Sequence, residues 1–232
     1  MLDVLYEDNH LLVVNKPAML PTMGVAEDRP SLLTAAKEYI RRKHAKPGNV
    51  YLGIVSRLDA PVTGVVLMAR TSKAASRLAK QFRNRDVEKT YWAIVEGHID
   101  PPAGTLVDFM RKDERHRRMH VTGANTPDAQ RAELAFRWLG GQPGEPRLRD
   151  GVDATLLEVQ PVTGRKHQIR VQLSTAGFPI LGDRKYGSGR RFPTGIALHA
   201  RTLAVEHPVL RTLLEMEAPV PGSWRGLVDW AN

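Results

Sequence analysis

Asp59 lies in the segment of the chain whose residue types point most directly to chemistry. It follows Arg57 and Leu58 and precedes Pro61 and Gly64, in a predicted turn between two apolar stretches. A carboxylate at the mouth of a turn between two buried strands is held rigidly and is open to solvent on one side, which is where enzymes place catalytic groups. A turn aspartate more often hydrogen-bonds its own backbone. The turn alone therefore leaves a catalytic and a structural interpretation open.

A second segment that could do chemistry runs from residue 163 to residue 173 and is rich in basic and polar side chains. A helix is predicted to begin near Arg165 or Lys166 and to end at Gly177. Its opening turn would present Arg165, Lys166 and His167 beside backbone N–H groups, a favourable arrangement for binding phosphate. A lone histidine such as His167 is more often a structural, hydrogen-bonding residue than a catalytic base or a metal ligand. Because the chain has no cysteine, and no carboxylate at ligand spacing here, the segment does not indicate a metal site.

The most basic window of the chain extends from residue 110 to residue 120. It is predicted to form a loop and then the start of a strand between Met119 and Val121. Its cationic side chains could grip phosphate groups, or they could belong to a flexible, solvated loop. These basic side chains are Arg111, Lys112, Arg115, Arg117 and Arg118.

The composition of the 232-residue chain indicates a globular protein with an anionic partner. Lys and Arg number 34 against 25 Asp and Glu, which gives a formal net charge of +9. This surplus favours nucleic acid over membrane as the partner, since no basic amphipathic helix with aromatic anchors is evident, although solubility alone could also explain it. No apolar run approaches the roughly 20 residues that span a bilayer. The N-terminus lacks the features of a signal peptide, so a cytoplasmic location is expected.

Hydrophobic spacing predicts the elements that must position these residues. The predicted strands are 4–6, 11–14, 53–56, 65–70, 89–95, 132–138, 154–159 and 198–205, followed by a strand and a short helix at the C-terminus. One amphipathic helix is capped by Ser31 and extends to about His44, and a second is capped by Thr71. The turn-rich stretch 140–146 is the best candidate for a variable surface loop.

Taken together, these segments resemble the RluA-type pseudouridine synthases, a family named for enzymes that modify the large ribosomal subunit, over the whole chain. Any one motif is weak, but five in the family's order are strong. The matching segments are Leu5–Asp8 with Val14–Pro17, Arg57–Asp59 with Thr63–Gly64, Lys89–Tyr91, Thr163–Arg165 with His167–Arg170, and Gly177–Asp183 with Tyr186–Gly187; Leu198–Ala200 and His207–Pro208 fit as well.

The resemblance implies an α+β catalytic domain on a long mixed, mainly antiparallel sheet, with flanking helices and a central cleft. It implies one such domain over residues 1–232, with two lobes sharing one sheet and no N-terminal accessory RNA-binding domain. The implied reaction is isomerisation of uridine to pseudouridine in ribosomal or transfer RNA. The uracil is detached from C1′ of its ribose and rejoined through carbon 5, without cofactor or metal. A monomer that does not associate with membranes is expected.

The resemblance also implies roles for individual residues. Asp59 would be the nucleophile or base that starts glycosidic cleavage, and Arg170 would pair with it and keep it ionised and aimed. Tyr91 would stack on the uracil and could exchange a proton at the sugar. The target nucleotide would flip out to reach the pocket. The residues expected to contact RNA are Arg57, Arg111, Arg115, Arg117, Arg118, Arg165, Lys166 and His167.

Several positions depart from the family pattern. Ser56 stands where the family usually has histidine, and Val62–Thr63 replaces the usual Thr-Ser. Lys166 and Gln172 replace the commoner threonine and histidine. None of these changes removes the aspartate, tyrosine or arginine, so they bear on substrate preference rather than on the chemistry.

Two other classes of function stay open at this point. The chain could be an RNA-binding, non-catalytic assembly factor that kept the fold and lost turnover. It could also be an unrelated hydrolase that uses Asp59 and His167. Nucleoside analysis of bulk RNA with and without the protein separates the three: pseudouridine gain, no change, or loss of strands or bases.

Overall fold

The structure is a computed structural model, and it describes residues 2–26, 29–116, 118–140, 147–149, 151 and 153–229. The chain divides into two compact units. The first consists of Met1–Lys89 and Ala200–Val220, and the second of Thr90–His199 and Pro221–Asn232. Antiparallel strand pairs form most of each unit.

Strands and helices alternate irregularly along the described residues. The strands are β1 (Val4–Glu7), β2 (Leu11–Lys16), β3 (Gly53–Ile54), β4 (Thr63–Ala69), β5 (Glu88–Glu96), β6 (Ala103–Asp113), β7 (Arg118–Thr122), β8 (Gln130–Trp138), β9 (Arg147–Leu148), β10 (Ala154–Pro161), β11 (Leu198–Glu206), β12 (Leu213–Glu217) and β13 (Val228–Asp229). The α-helices are α1 (Leu32–Lys43), α2 (Ser72–Asn84) and α3 (Gln168–Thr175), with 3-10 turns at Arg184–Tyr186 and Gly222–Trp224.

These bounds confirm the α+β class with mainly antiparallel strands and flanking helices. Every predicted strand is present, and Ser31 and Thr71 cap α1 and α2 as predicted. The surface-loop prediction for 140–146 falls almost entirely outside the described residues. The single-domain and central-cleft predictions stay predictions. Among the described residues, no helix has the length and apolar character needed to cross a bilayer.

The centre of the first unit is formed by β2 and β4, which carry apolar side chains on both faces. They pair with each other antiparallel, while β1 pairs with β2 and β3 pairs with β4. Side chains on one face pack against Ala74 and Leu78 of α2. Those on the other face pack against Leu32, Ala36 and Ile40 of α1. The two helices thus cover the strand pair that includes β4, the strand that leaves the Asp59 turn.

Gly64 is required by a close approach of two backbones. Its φ angle is +113°, and a Cβ atom built there would lie 2.2 Å from the carbonyl oxygen of Ala200. Neither the conformation nor the contact accepts a side chain. The glycine that follows the Asp59 turn therefore lets β4 pass directly against β11.

Glu7 is the centre of a charge cluster that joins β1 to the end of α1. Its carboxylate, 8 % exposed, accepts hydrogen bonds from Lys43 (2.8 Å), His44 (2.7 Å), Tyr39 (2.8 Å) and Arg70 (3.0 Å). Burial works to raise the pKa of Glu7, but the bonds from Lys43, His44 and Tyr39 more than offset it and lower that pKa to about 2. The carboxylate is therefore stabilised in its charged form by folding.

We expect Glu7→Gln to lower the free energy of unfolding at neutral pH by about 2–3 kcal/mol. Because the folded-state pKa of about 2 lies below the ordinary value of 4.5, this contribution is fully present above 4.5 and is lost as the pH falls towards 2. Denaturant unfolding of both proteins across this pH range measures it, and the difference should shrink on acidification.

Glu38 provides the matched control for this prediction. It also pairs with two cations, Arg41 (2.7 Å) and Arg42 (2.6 Å), but on the exposed surface of α1. Surface ion pairs contribute little, so Glu38→Gln should cost far less at every pH. A stability difference between wild type and Glu7→Gln that does not vary with pH would contradict the prediction.

In the second unit the strands lie in the order β5-β10-β8-β6-β7. Helix α3 contributes Val171 to a small core with Met110 of β6 and Ala132 of β8, and Tyr186 also packs there. β6 was not among the predicted strands, because its exposed polar and charged side chains hide the alternation.

The prediction of a loop across the start of the basic window is wrong. Arg111 and Lys112 continue β6 and pair with His120 and Met119 of β7, so the window is the end of a β-hairpin. Only residues 114–117 separate the two strands. The predicted strand at Met119 is confirmed, and it begins one residue earlier. Charge density favours a solvated loop, but the buried Met110 and cross-strand pairing hold a strand.

Candidate active site

The backbone around Asp59 is held on both sides by the last residue of β2 and by the segment that follows it. On the N-terminal side, the Thr22 hydroxyl donates to the Leu58 carbonyl (2.8 Å) and accepts the Leu58 N–H (3.2 Å). On the C-terminal side, the ammonium group of Lys16 donates to the carbonyl of Ala60 (3.0 Å). Asp59 itself is half-buried. The turn therefore presents the carboxylate from a backbone that is restrained before and after it.

Lys16 ends β2 with a fully buried side chain. Its ammonium group donates to the carbonyl oxygens of Pro17 (2.8 Å), Leu20 (2.8 Å) and Ala60 (3.0 Å). Burial lowers the pKa of Lys16 to about 7, and the negative charge of Asp59 acts in the opposite direction. An ammonium group has three protons, so the three acceptors match its charged form. A buried positive charge thus lies within electrostatic reach of Asp59.

Lys16 and Thr22 were not among the predicted site residues. Lys16 carried a detectable signal, since it ends a run of buried apolar residues where a charged side chain needs partners. Thr22 carried none, because it lies in an irregular segment and threonine is common there. The contacts that these two residues make with the Asp59 turn span 36 and 44 positions of sequence, a separation that no local pattern reports.

The two residues before Leu58 have different surroundings. The Ser56 Oγ accepts the N–H of Leu67 in β4 (2.8 Å). The serine that replaces the family's usual histidine is therefore tied into the strand that leaves the turn. Arg57 is exposed, so its guanidinium group is accessible from solvent. Its contact with RNA stays a prediction.

Tyr91 lies in β5 of the second unit, opposite Val159 of β10. The next residues of the strand, Ala93, Ile94 and Val95, are fully buried and anchor it. Tyr91 itself is only half-buried, in the first half of the strand, which is less buried than the second half. The Tyr91 side chain therefore extends from an anchored strand and is partly accessible, as stacking on a nucleobase would require.

Arg170 is held by Asp183 in the second unit. The Nε and Nη2 atoms of Arg170 donate to the two carboxylate oxygens of Asp183 at 2.7 and 2.9 Å. The side chains are 6 % and 2 % exposed, and the guanidinium group lies over the Tyr186 ring at 4.9 Å from its centroid. This buried bidentate ion pair holds α3 to the 3-10 turn at residues 184–186. Pairing of Arg170 with Asp59 stays a prediction.

Asp183 has the surroundings of a structural turn residue. Its carbonyl oxygen accepts the N–H groups of Tyr186 (2.9 Å) and Ser188 (3.1 Å), while its carboxylate binds Arg170. The carbonyl group and the carboxylate of Asp183 therefore both hold the segment that follows Ile180. Ile180 itself pairs with Val95 of β5. Asp183 is a component of the fold at this position.

Helix α3 begins at Gln168, later than the predicted start near Arg165 or Lys166. His167 has a left-handed backbone conformation (φ 55°), which interrupts helical geometry before Gln168. The Gln168 amide oxygen accepts the Arg165 N–H (3.0 Å) and the Thr163 hydroxyl (2.8 Å). These bonds hold the preceding residues as a turn, so the three predicted phosphate ligands precede the helix.

Those three ligands differ in exposure. Lys166 is exposed, and Arg165 is half-buried with its Nε donating to the carbonyl of Arg131 (3.1 Å). The His167 Nδ1 lies 2.6 Å from the Tyr186 hydroxyl, and the two rings meet edge to face. The structural interpretation of His167 therefore has a specific partner, and Lys166 has the most accessible charge.

The tip of the β6–β7 hairpin carries accessible positive charge. Arg111, Arg115 and Arg118 are exposed, and their side chains make no ion pair with any other described residue. Lys112, by contrast, pairs with Glu114 (2.6 Å). Arg117 lies outside the described residues. Within the part of the chain that the structure describes, the hairpin tip thus offers three exposed guanidinium groups that make no ion pair.

The predicted site residues fall in both units. Arg57 and Asp59 belong to the first, and Tyr91, Arg170, the hairpin arginines and residues 165–167 belong to the second. Within the first unit the structure brings Asp59 together with Lys16 and Thr22. Among the described residues, no group of three or more His, Asp and Glu side chains is placed to hold a metal ion.

Comparison with known proteins places this chain among RNA-modifying enzymes. Residues 10–175 match the model of the RNA pseudouridylate synthase family. The chain is 32% identical to "tRNA pseudouridine synthase C" of Vibrio cholerae, over 99% of this chain and 95% of that protein. It is 33% identical to "Dual-specificity RNA pseudouridine synthase RluA" of Escherichia coli, over 93% and 92%.

The solved structure of human RNA pseudouridylate synthase domain containing 4 is also similar. Its TM-score is 0.77 at 26% sequence identity, and the match covers 99% of this chain and 95% of that one. The family model covers well over half of the chain, and the motif carrying Asp59 lies inside the matched region. The chain therefore belongs to the RNA pseudouridylate synthase family, as an RluA-type enzyme that catalyses an isomerisation.

Proposed function

We propose that this protein isomerises a specific uridine of ribosomal or transfer RNA, with Asp59 as nucleophile or base. The observation that carries the proposal is the Asp59 turn, in which the carbonyl groups of the two residues that flank the family's aspartate, Leu58 and Ala60, are both held by hydrogen bonds. Relatives named for transfer RNA and for dual specificity support the class of RNA. The monomeric state and the cytoplasmic location of the protein both remain predictions.

The reaction exchanges one bond of the uracil for another. The bond between N1 and C1′ breaks, C5 joins C1′, the hydrogen on C5 leaves as a proton, and N1 takes up a proton. The carboxylate of Asp59 is suited to nucleophilic attack or to proton removal. Tyr91 would stack on the uracil and could take or give a proton at the sugar. Arg170, positioned by Asp183, would face Asp59 and keep it ionised and aimed.

The target uridine must leave its stack to reach these groups. Flipping costs a few kcal/mol, least in loops where the base is already unpaired. Contacts with flanking phosphates would supply the affinity that offsets this cost. The proposed RNA contacts are Arg57, Arg111, Arg115, Arg117, Arg118, Arg165, Lys166 and His167.

We expect the hairpin arginines to contribute phosphate contacts. Changing Arg111, Arg115 and Arg118 together to glutamine should weaken RNA binding and lower the salt dependence of affinity by about one unit of slope for each phosphate contact removed. The measurement is a binding titration with total ribosomal and transfer RNA over a series of salt concentrations.

The control for this prediction removes the same charge elsewhere. Lys46, Lys73 and Lys80 are equally exposed and lie in the first unit, outside the proposed RNA contacts. Their triple change to glutamine should alter the slope much less. Equal slopes for the wild type and the arginine triple variant would mean that the hairpin tip is solvated surface.

The proposed function is tested by nucleoside analysis of RNA from a strain that lacks the gene, before and after incubation with the purified protein. A gain of pseudouridine at one or a few mapped positions is expected. RNA binding without any gain would identify a non-catalytic assembly factor, and loss of bases or strand breaks would identify a hydrolase. Mapping the modified position also identifies the RNA and the uridine.

A further inference from the structure

The Thr22 hydroxyl takes the place of a neighbouring strand for the residue that precedes Asp59. Leu58 lies beyond the end of β3, in the irregular part of the turn. One hydroxyl satisfies both of its backbone groups, donating to the carbonyl at 2.8 Å and accepting the N–H at 3.2 Å. Thr22 is 4 % exposed, so water does not compete for these bonds. The orientation of the two peptide groups that flank the Leu58 Cα therefore depends on one side chain.

Thr22 is itself tied to the start of α1. Its carbonyl oxygen accepts the N–H of Leu33 (3.1 Å), and the carbonyl of Pro21 accepts the N–H of Leu32 (2.8 Å). Leu32 is fully buried in the core that α1 shares with β2 and β4. The Ser31 side chain caps the same turn. A chain of contacts thus runs from a packed helix end through Thr22 to Leu58.

We propose that Thr22 is a positioning residue for Asp59. The hydroxyl links the peptide before Asp59 to the packed end of α1, while Lys16 holds the carbonyl group of Ala60, the residue after Asp59. With the backbone held on both sides, the point from which the Asp59 side chain extends does not have to be ordered by the substrate. The inference rests on the proposed role of Asp59, and Thr22 touches no reacting atom.

Thr22→Val tests the proposal because it keeps the shape of the side chain and removes both bonds to Leu58. We expect turnover to fall about 10- to 100-fold, the range that small misplacement of a catalytic group produces, with RNA affinity little changed. Thr22→Ser keeps the hydroxyl and should recover most of the turnover. The readout is release of tritium from carbon 5 of uridine-labelled total RNA, with enzyme in excess, alongside a binding titration.

Thr155 offers a matched control in the second unit. Its hydroxyl, also on a buried side chain, donates to the Gly97 carbonyl (2.7 Å) and accepts the Ile99 N–H (3.3 Å). Thr155→Val therefore removes an equivalent pair of bonds from a loop that carries no proposed catalytic residue. It should lower stability similarly and leave turnover near wild type. If the valine variants do not fold, Thr22→Ala and Thr155→Ala give the same comparison.

An Asp59→Asn arm separates failure of this inference from failure of the proposed function. If Asp59→Asn is inactive, and Thr22→Val turns over as fast as Thr155→Val, the positioning role is refuted alone. The same holds if Thr22→Ser is as slow as Thr22→Val. If Asp59→Asn is active, the proposed role of Asp59 fails and this inference fails with it.

Discussion

Asp59→Asn should abolish pseudouridine formation while RNA binding persists. The amide keeps the size and hydrogen-bonding shape of the side chain, but it can act neither as a nucleophile nor as a base. Leu58 and Ala60 would still be held by Thr22 and Lys16, so the turn should keep its shape. Phosphate contacts supply most of the affinity, and loss of a negative charge near the RNA should leave it unchanged or tighter.

The test is pseudouridine formation at high enzyme concentration over a long incubation, together with a binding titration. Asp86→Asn is the matched control, because it removes the same charge from an exposed residue of the first unit. It should leave turnover near wild type, and its affinity shows how much any tightening in Asp59→Asn owes to net charge alone. Near-normal turnover in Asp59→Asn would move the search for the catalytic group to Asp183 and His167.

Much of the fold could be predicted from the sequence because local pattern and tertiary packing agree. The α1 and α2 caps are set by Ser31 and Thr71, each of which accepts a backbone N–H three residues on. Strands such as β2 and β4 are apolar on both faces and have few alternatives to burial between helices. The position of Asp59 followed from similar signals, since the turn lies between the short strand β3 and the apolar strand β4.

What could not be predicted depends on contacts between distant parts of the chain. Strand β6 is held by β7 and β8, although its own exposed side chains are polar and charged. The start of α3 is set by the Gln168 side chain and by the left-handed His167, neither of which a capping pattern indicates. Lys16 and Thr22 reach the Asp59 turn across more than thirty residues. Spacing along the sequence contains no record of such bonds.

The buried pair of Arg170 and Asp183 makes two roles of Arg170 separable by experiment. Arg170→Met leaves the Asp183 carboxylate buried without its partner and should lower the free energy of unfolding by about 3–5 kcal/mol. Arg170→Lys keeps the charge but loses the bidentate hydrogen bonding of the guanidinium group, so it should lower the free energy of unfolding by less than Arg170→Met. If Arg170 also aims Asp59, turnover of the folded lysine variant should still fall by orders of magnitude, with RNA affinity little changed.

Asp183→Asn distinguishes a structural role from a catalytic one. It weakens the same pair from the other side and leaves the Arg170 guanidinium in place. Denaturant unfolding gives the stability of each variant, and turnover is measured at a temperature where all are folded. If Arg170 serves only to hold α3 to the 184–186 turn, Arg170→Lys and Asp183→Asn should lose turnover equally once both are folded. If Arg170 acts on Asp59, the lysine variant alone should be nearly inactive. Near-normal turnover in folded Arg170→Lys would assign the pairing with Asp59 to another cation, Arg57 or Arg165.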